Sequence, residues 1–189
     1  MSEAAPNTPI TLDQIVAHKR TELEAAKAML SLDDLRERIS ELGRPRNFFQ
    51  AVVRHKSPTE TAIIAEIKRK SPSAGWIRPE YEREDFDPAI IAQKYHAAGA
   101  SAISCLTDEK YFAGKLEYIH RVRDAVPLPV LRKDFIVDPW QVWESRAAGA
   151  DAILLIAESL TTSELLDLMI LARELQLTTL VETHDMENL

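Results

Sequence analysis

The chain has 189 residues, of which 46% are hydrophobic and 28% charged, and its formal net charge is −7. This composition is typical of a globular protein and excludes a wholly disordered or collagen-like chain. The acidic balance argues against nucleic-acid binding by general phosphate attraction. Cys105 is the only cysteine, so no internal disulfide is possible and a reducing cytoplasm is the expected location. We see no secretory signal and no apolar run of membrane-spanning length, and therefore expect no membrane partner.

The first 57 residues are predicted to form a helical extension. Thr11 with Gln14, and Ser31 with Asp34, have the three-residue spacing of a capping box at the start of a helix. An apolar stripe at helical spacing follows each of these starts, and a pair of phenylalanines marks a third, shorter helix. The extension therefore precedes the part of the chain that carries strands.

From residue 58 to residue 189, short aliphatic runs alternate with amphipathic stretches. The predicted strands are 62–68, 102–106, 129–133, 152–157 and 178–182. The predicted helices between them are 88–98, 116–125, 140–148 and 162–175. Strands that are almost continuously apolar are buried on both faces, as in a parallel sheet covered by helices. The pattern predicts an α/β domain built from βα units.

An internal repeat supports this organisation. Residues 97–103 recur, with one substitution, as residues 147–153. The glycine of each copy can adopt the left-handed conformation that ends a helix. The spacing of two βα units favours either a (β/α) barrel or an open doubly wound sheet. No glycine-rich dinucleotide fingerprint follows the first strand, which argues against a dinucleotide-binding domain.

Charged residues stand at the ends of the predicted strands, where the catalytic loops of a parallel α/β barrel lie. Glu66 and Lys68 are two residues apart on the first strand, so they project from the same face. The basic run 68–70 is by itself also typical of a solvated turn. In the context of the strand, we interpret Glu66 and Lys68 as an acid and a cation paired near a barrel mouth.

Lys133 and Glu182 end the third and fifth predicted strands. Lys133 shares a face with Leu131 and Phe135, whereas Asp134 lies on the other face. A lysine in this position is a candidate acid, Schiff-base former or anion ligand, and a structural ion-pair partner is the alternative. Glu182 is a candidate acid or base whose pKa neighbouring charges would tune.

Metal and thiol chemistry are not expected. The five histidines show no metal-ligand pairing at helical spacing, so we predict no metal site and no cofactor. Cys105 lies inside a predicted strand and is interpreted as a small buried apolar residue rather than a nucleophile.

Five segments at the strand ends together resemble the indole-3-glycerol phosphate synthase family. They are residues 64–73, 106–112, 129–137, 152–156 and 180–182. The helical extension is similar to the family's N-terminal extension, which lies over the barrel mouth. The resemblance implies a (β/α)8 TIM barrel and a carboxy-lyase of tryptophan biosynthesis. The substrate would be 1-(2-carboxyphenylamino)-1-deoxyribulose 5-phosphate, which is closed to an indole with loss of carbon dioxide and water.

The resemblance also implies roles for eight residues. Lys133 would be the general acid for ring closure, and Glu182 the acid or base in rearomatisation or dehydration. Lys68 would bind the anthranilate carboxylate and could also protonate a departing oxygen, and Glu66 would hold this charge network and contact the sugar hydroxyls. How the proton transfers divide among the two lysines and Glu182 stays open. The remaining substrate contacts would be a phosphate contact at Ser71 and an apolar wall of Phe112, Phe135 and Leu154.

The family barrel has eight strands, whereas five are predicted here. We therefore expect an N-terminal part of the enzyme, inactive or poorly active alone. Its partners would be the phosphorylated substrate and either a missing C-terminal barrel half or a second copy joined through open sheet edges. Two alternatives stay open: a Schiff-base aldolase-type phosphate-binding barrel using Lys133, and a non-catalytic half-barrel that serves only as an assembly partner.

Overall fold

The computed structural model describes residues 10–53 and 61–184. The strands are β1 (Ile64–Ile67), β2 (Lys70–Ser71), β3 (Gly75–Trp76), β4 (Ala102–Leu106), β5 (Val130–Lys133), β6 (Ala152–Ile156) and β7 (Thr178–Glu182). The helices are α1 (Leu12–Met29), α2 (Leu32–Glu41), α3 (Phe48–Val53), α4 (Pro88–Ala97), α5 (Glu109–Phe112), α6 (Tyr118–Ala125), α7 (Pro139–Ala147) and α8 (Thr162–Glu174). Two short 3-10 helices occupy Pro79–Glu82 and Ala157–Ser159.

The central sheet has five parallel strands in the order β1, β4, β5, β6, β7, and β2 with β3 forms a separate antiparallel hairpin. Each strand of the large sheet pairs with the next one along the chain, so the order never reverses. A doubly wound sheet reverses its strand order where the ligand binds. The doubly wound alternative is therefore wrong, and the sequential order is that of five βα units of a TIM barrel.

The predicted strands and helices of this region are confirmed to within two residues at each end. β4 and β6 are buried along their whole length, as expected of strands covered on both faces. The same expectation is wrong for β1 and β7, which are partly exposed. The reason is that each has a strand neighbour on one side only within the described sheet.

Alternation along the strands separates the sheet into an outer and an inner face. On the outer face, the main core packs strand residues such as Ile103 and Ile153 against α4, α6, α7 and α8. On the inner face, the residues nearest the strand starts are Ala102, Leu131 and Ala152, and Phe48 of α3 packs against all three. The side chain of Phe48 therefore fills the end of the barrel opposite the expected active site.

The helical extension reaches both ends of the barrel. α1 and α2 begin at the predicted capping boxes of Thr11 and Ser31. α1 contacts the loops that follow β4 and β5, α2 packs on the outer helix α7 with Leu35 buried, and α3 lies beneath the strand starts. The extension is thus not confined to the barrel mouth. The predicted boundary at residue 57 lies outside the described residues.

A polar cluster fastens the extension to the strand starts. The carboxylate of Asp151 accepts hydrogen bonds from the backbone N–H of Arg46 at 2.6 Å and of Val130 at 2.8 Å, and it pairs with the guanidinium of Arg123. The guanidinium of Arg46 donates to three backbone carbonyls within residues 123–128. These hydrogen bonds connect the segment just before α3 to the sheet and to α6.

The internal repeat makes the same contact in both copies. Its glycines have φ values of +89° and +83°, as the sequence predicts. The residue that differs between the copies, Ser101 or Asp151, uses its side chain to accept an N–H from the preceding strand region. Ser101 Oγ lies 3.3 Å from the nitrogen of Ile63, and Asp151 Oδ2 lies 2.8 Å from the nitrogen of Val130. In each copy, this hydrogen bond connects the start of one strand to the start of the strand before it.

Candidate active site

Two ion pairs lie on the inner face near the carboxyl ends of the strands. Lys133 Nζ, on the last residue of β5, is 3.1 Å from Glu182 Oε2 at the end of β7. Lys68 Nζ, just after β1, is 2.8 Å from Glu66 Oε1. The prediction that Glu66 and Lys68 share a face is confirmed. All four side chains are about one third exposed, so a ligand can reach their charges.

A cavity of about 320 Å³ opens beside the Lys133–Glu182 pair. Leu12 of α1 closes one side of it, and His184 lies at its rim, 3.9 Å from Glu182. The rest of the lining is Asp134 and five apolar residues, namely Leu106, Phe112, Phe135, Leu154 and Ile156. This cavity combines one acid–base pair with an apolar wall, which is the usual make-up of a small-molecule site.

A second cavity, of about 290 Å³, continues along the inner face. It shares Lys133, Leu154 and Glu182 with the first and extends to Glu66 on β1. Ser104 of β4 also lines it, and the Ser104 hydroxyl is buried without a hydrogen-bond partner among the described residues. Ser104 is not among the residues predicted from the sequence, although a serine in the middle of an otherwise apolar strand is a usable signal.

The aromatic wall is built by two short loops. Phe112 ends α5, and Phe135 follows β5; their ring centroids are 5.9 Å apart with a tilt of 37°. Asp108 caps α5 by accepting the N–H of Tyr111 at 2.8 Å. Asp134 accepts the N–H of Phe135, also at 2.8 Å. Phe135 is therefore placed by the carboxylate just before it in the sequence, and Phe112 by the carboxylate that caps its short helix four residues earlier.

Among the described residues, Ser71 stands apart from these cavities. It lies in the β2–β3 hairpin, where its hydroxyl accepts the N–H of Ala74 at 3.1 Å and is 3.5 Å from the Ser73 hydroxyl. The structure thus brings seven of the eight predicted site residues together around the inner face and leaves Ser71 on a neighbouring loop.

A buried ionic network lies directly behind the wall. Lys19 of α1 places its Nζ 2.9 Å from Asp108 and 3.2 Å from Asp134. Asp134 also accepts hydrogen bonds from Thr107 Oγ1 at 2.6 Å and from Arg132 at 3.0 Å. Arg132 and Asp134 therefore share the face opposite Lys133. Lys19 is not among the residues predicted from the sequence. It lies on the same helix face as Ile15 and Leu23, the buried apolar residues four positions before and after it.

The network shifts the pKa values of its members. Burial alone would raise the pKa of Asp134, but the charges of Arg132 and Lys19, with the hydrogen bonds from Thr107 and Phe135, lower it to about 2. Burial alone would lower the pKa of Lys19, but the charges of Asp134 and Asp108 raise it above its ordinary value. Both groups are therefore charged at neutral pH.

Other chemistries have little support in the described part of the chain. Residues 10–53 and 61–184 contain no group of three or more His, Cys, Asp and Glu side chains placed to hold a metal ion. Burial raises the pKa of the Cys105 thiol to about 12, which fits the buried apolar residue that we predicted. Across the helices described, none combines the length and apolarity needed to cross a membrane.

A comparison with protein families matches residues 12–189 to the family described as Indole-3-glycerol phosphate synthase. The chain belongs to the indole-3-glycerol phosphate synthase family. Proteins of that name from Acidithiobacillus ferrooxidans and Rhodospirillum rubrum are 51% and 46% identical over 174 and 176 residues. A third, from Neisseria gonorrhoeae, is 47% identical over 174 residues.

These alignments cover 92% or 93% of the chain but only 64% or 65% of each relative. The chain therefore spans just under two thirds of the length of these indole-3-glycerol phosphate synthases. The family match begins at Leu12, so it includes the helical extension as well as the strands. Family membership confirms the resemblance and the TIM-barrel fold class.

Proposed function

We propose that the chain carries the N-terminal part of the active site of an indole-3-glycerol phosphate synthase, a carboxy-lyase. Its substrate would be 1-(2-carboxyphenylamino)-1-deoxyribulose 5-phosphate. The observation that supports this most strongly is the Lys133–Glu182 pair in the wall of an apolar cavity that also carries two aromatic rings. Closure of an indole needs an acid and a base next to a surface that holds a benzene ring.

In the proposed reaction, the ring carbon that bears the carboxylate forms a bond to the ketone carbon of the sugar chain. Lys133 gives a proton to the ketone oxygen as this bond forms. The carboxylate leaves as carbon dioxide, and its bonding electrons restore the aromatic ring. The new hydroxyl takes a second proton and leaves as water, while Glu182 removes the proton that the five-membered ring loses. One proton is consumed overall, which balances the charge lost with the carboxylate.

The second ion pair would position the charged ends of the substrate. Lys68 would bind the anthranilate carboxylate and is also placed to protonate the departing hydroxyl. Glu66, held 2.8 Å from Lys68, would accept hydrogen bonds from the sugar hydroxyls. The hydroxyl of Ser71 accepts the N–H of Ala74 and lies 3.5 Å from the Ser73 hydroxyl, and its proton could turn to the phosphate.

The apolar side chains would bind the aromatic ring and exclude water. Phe112, Phe135 and Leu154 form one wall of the cavity, and Leu12 approaches from α1. An environment of low polarity strengthens the charge interactions of the two lysines with a substrate that carries a carboxylate and a phosphate. The helical extension would thus contribute to catalysis by covering the ring.

We also propose that the edges of the sheet pair with a further barrel segment. The occupant would be a complementary polypeptide with the remaining strands or, failing that, a second copy of this chain. Apolar side chains are exposed on both edges, including Ile63 just before β1, Ile64 on β1 and Leu180 on β7. Exposed strand edges of this kind favour association.

The test is a turnover assay that follows indole fluorescence. The chain is assayed alone and after mixing with a polypeptide that carries the family's last three strands. We expect little turnover alone and clear turnover in the mixture. In the mixture, Lys133→Met and Glu182→Gln should each lower kcat by about 100-fold or more. Lys110→Met is the matched control, because Lys110 contacts His18 outside both cavities, and it should stay within about twofold of the unmodified chain.

Three results would contradict the proposal. Borohydride trapping of a substrate adduct on Lys133 would favour the Schiff-base aldolase, because a general acid forms no covalent bond. A mixture that assembles and binds substrate but gives no indole would favour the non-catalytic assembly partner. Equal loss of activity in Lys133→Met and Lys110→Met would remove the special role of the ion pair.

A further inference from the structure

Lys19 is the only described residue of the extension whose charge is buried against the barrel loops that carry the aromatic wall. Its side chain is 8% exposed, although it lies on α1, a helix with mostly exposed charges. A buried ammonium is costly unless each of its protons finds a partner. Lys19 has three partners: Glu22 at 2.9 Å on its own helix, Asp108 at 2.9 Å and Asp134 at 3.2 Å.

The two barrel carboxylates bound by Lys19 are the ones that place the phenylalanines. Asp108 holds the first turn of α5, the helix that ends at Phe112. Asp134 holds the backbone N–H of Phe135. Without the ammonium, buried Asp108 would lose the one ion pair described for it, and Asp134 would keep only its pair with Arg132. The geometry of the ring pair therefore depends on a charge that neither ring touches.

We propose that Lys19 is a positioning residue that sets the aromatic wall for the benzene ring of the substrate. It acts through Asp108 on Phe112 and through Asp134 on Phe135. The functional consequence rests on the proposed synthase reaction, whereas the positioning itself does not. The expected effect of its loss is weaker binding of the aromatic half of the substrate, since the wall would no longer present both rings together.

A matched control lies on the same helix. Lys27 Nζ is 2.6 Å from Asp138, the residue that caps α7, so Lys27 also ties α1 to the barrel. Lys27 does not contact the carboxylates that place the phenylalanines. If Lys19 merely fastened α1, removal of either lysine should have the same effect. If Lys19 positions the wall, the two variants should differ.

The experiment compares Lys19→Met with Lys27→Met in the 189-residue chain. Nuclear Overhauser contacts between the rings of Phe112 and Phe135 report the wall directly. Fluorescence titration with 2-aminobenzoate, the aromatic half of the proposed substrate, reports binding. We expect Lys19→Met to lose the ring contact and to bind at least tenfold more weakly, and Lys27→Met to keep both. An unchanged ring contact in Lys19→Met, or equal losses in both variants, would overturn the proposal.

A second variant covers the case in which Lys19→Met fails to fold. Asp108→Asn keeps a good helix cap but loses the charge that attracts Lys19. In Asp108→Asn we expect a weakened contact between the two rings and severalfold weaker binding of 2-aminobenzoate. An unchanged ring contact would mean that helix capping alone places Phe112, and it would refute the role of Lys19. The two proposals can also fail separately. If the unmodified chain does not bind 2-aminobenzoate but its ring contact still depends on Lys19, the result counts against the proposed function and supports the positioning role.

Discussion

Phe48 offers the sharpest test of how the extension stabilises the barrel. Its ring is 1% exposed and packs against Ala102, Leu131 and Ala152 at the strand starts. Replacement of a buried phenylalanine by alanine costs about 3–5 kcal/mol, and the cost is largest where neighbours cannot close the void. Two of the three neighbours are alanines on a rigid sheet, so we expect Phe48→Ala to lose about 4 kcal/mol of unfolding free energy.

The assay is urea unfolding followed by circular dichroism. With a slope of about 2 kcal/mol per molar urea, the midpoint of Phe48→Ala should fall by about 2 M. Phe49→Ala is the matched control, because Phe49 is the next residue of the same helix and is 60% exposed; its midpoint should fall by less than about 0.3 M. Similar midpoints for the two variants would refute the packing of α3 beneath the sheet.

Two further predictions concern the loops behind the site. Asp134 has a pKa of about 2 in the folded chain against an ordinary 3.8. Above about pH 4, the Asp134 carboxylate should therefore contribute roughly 2 kcal/mol to the free energy of unfolding, and this contribution should be lost as the pH falls toward 2. An NMR titration of the Asp134 carboxyl with a midpoint at or above 3.8 would contradict this. Gly114→Ala should lower the urea midpoint by about 1 M, because a β-carbon there would overlap the backbone carbonyl of Leu106, whereas Gly43→Ala, with open space around it, should leave the midpoint unchanged.

The positions of the charged residues were predictable from the sequence, but not every contact among them. Residues two apart share a face, which pairs Glu66 with Lys68, and parallel strands end at the same edge of a sheet, which places Lys133 and Glu182 at one end. The contact of Lys133 with Glu182 across β6 is seen only in the folded chain. The helix starts were equally accessible, since a capping box at Thr11 or Ser31 is a local signal read over four residues.

The loops were not predictable in the same way. The β2–β3 hairpin has two residues in each strand, and α5 has four residues, so neither is long enough to show a hydrophobic period. Ser71 and Phe112 lie on these short elements, and their placement depends on contacts made elsewhere. Lys19 is a different case: its position in the apolar stripe of α1 was visible, but its carboxylate partners lie on distant loops and only the folded chain identifies them.

The contact between Arg46 and Asp151 also has a consequence for the order in which the protein is assembled during translation. The two residues are 105 positions apart. At a synthesis rate of about 5–20 residues per second, the ribosome adds Asp151 about 5–20 s after Arg46. During that interval Phe48 has no Ala152 to pack against. The segment around Arg46 and Phe48 is therefore made well before it can complete its contacts with β6, and it must stay unaggregated until β6 has emerged.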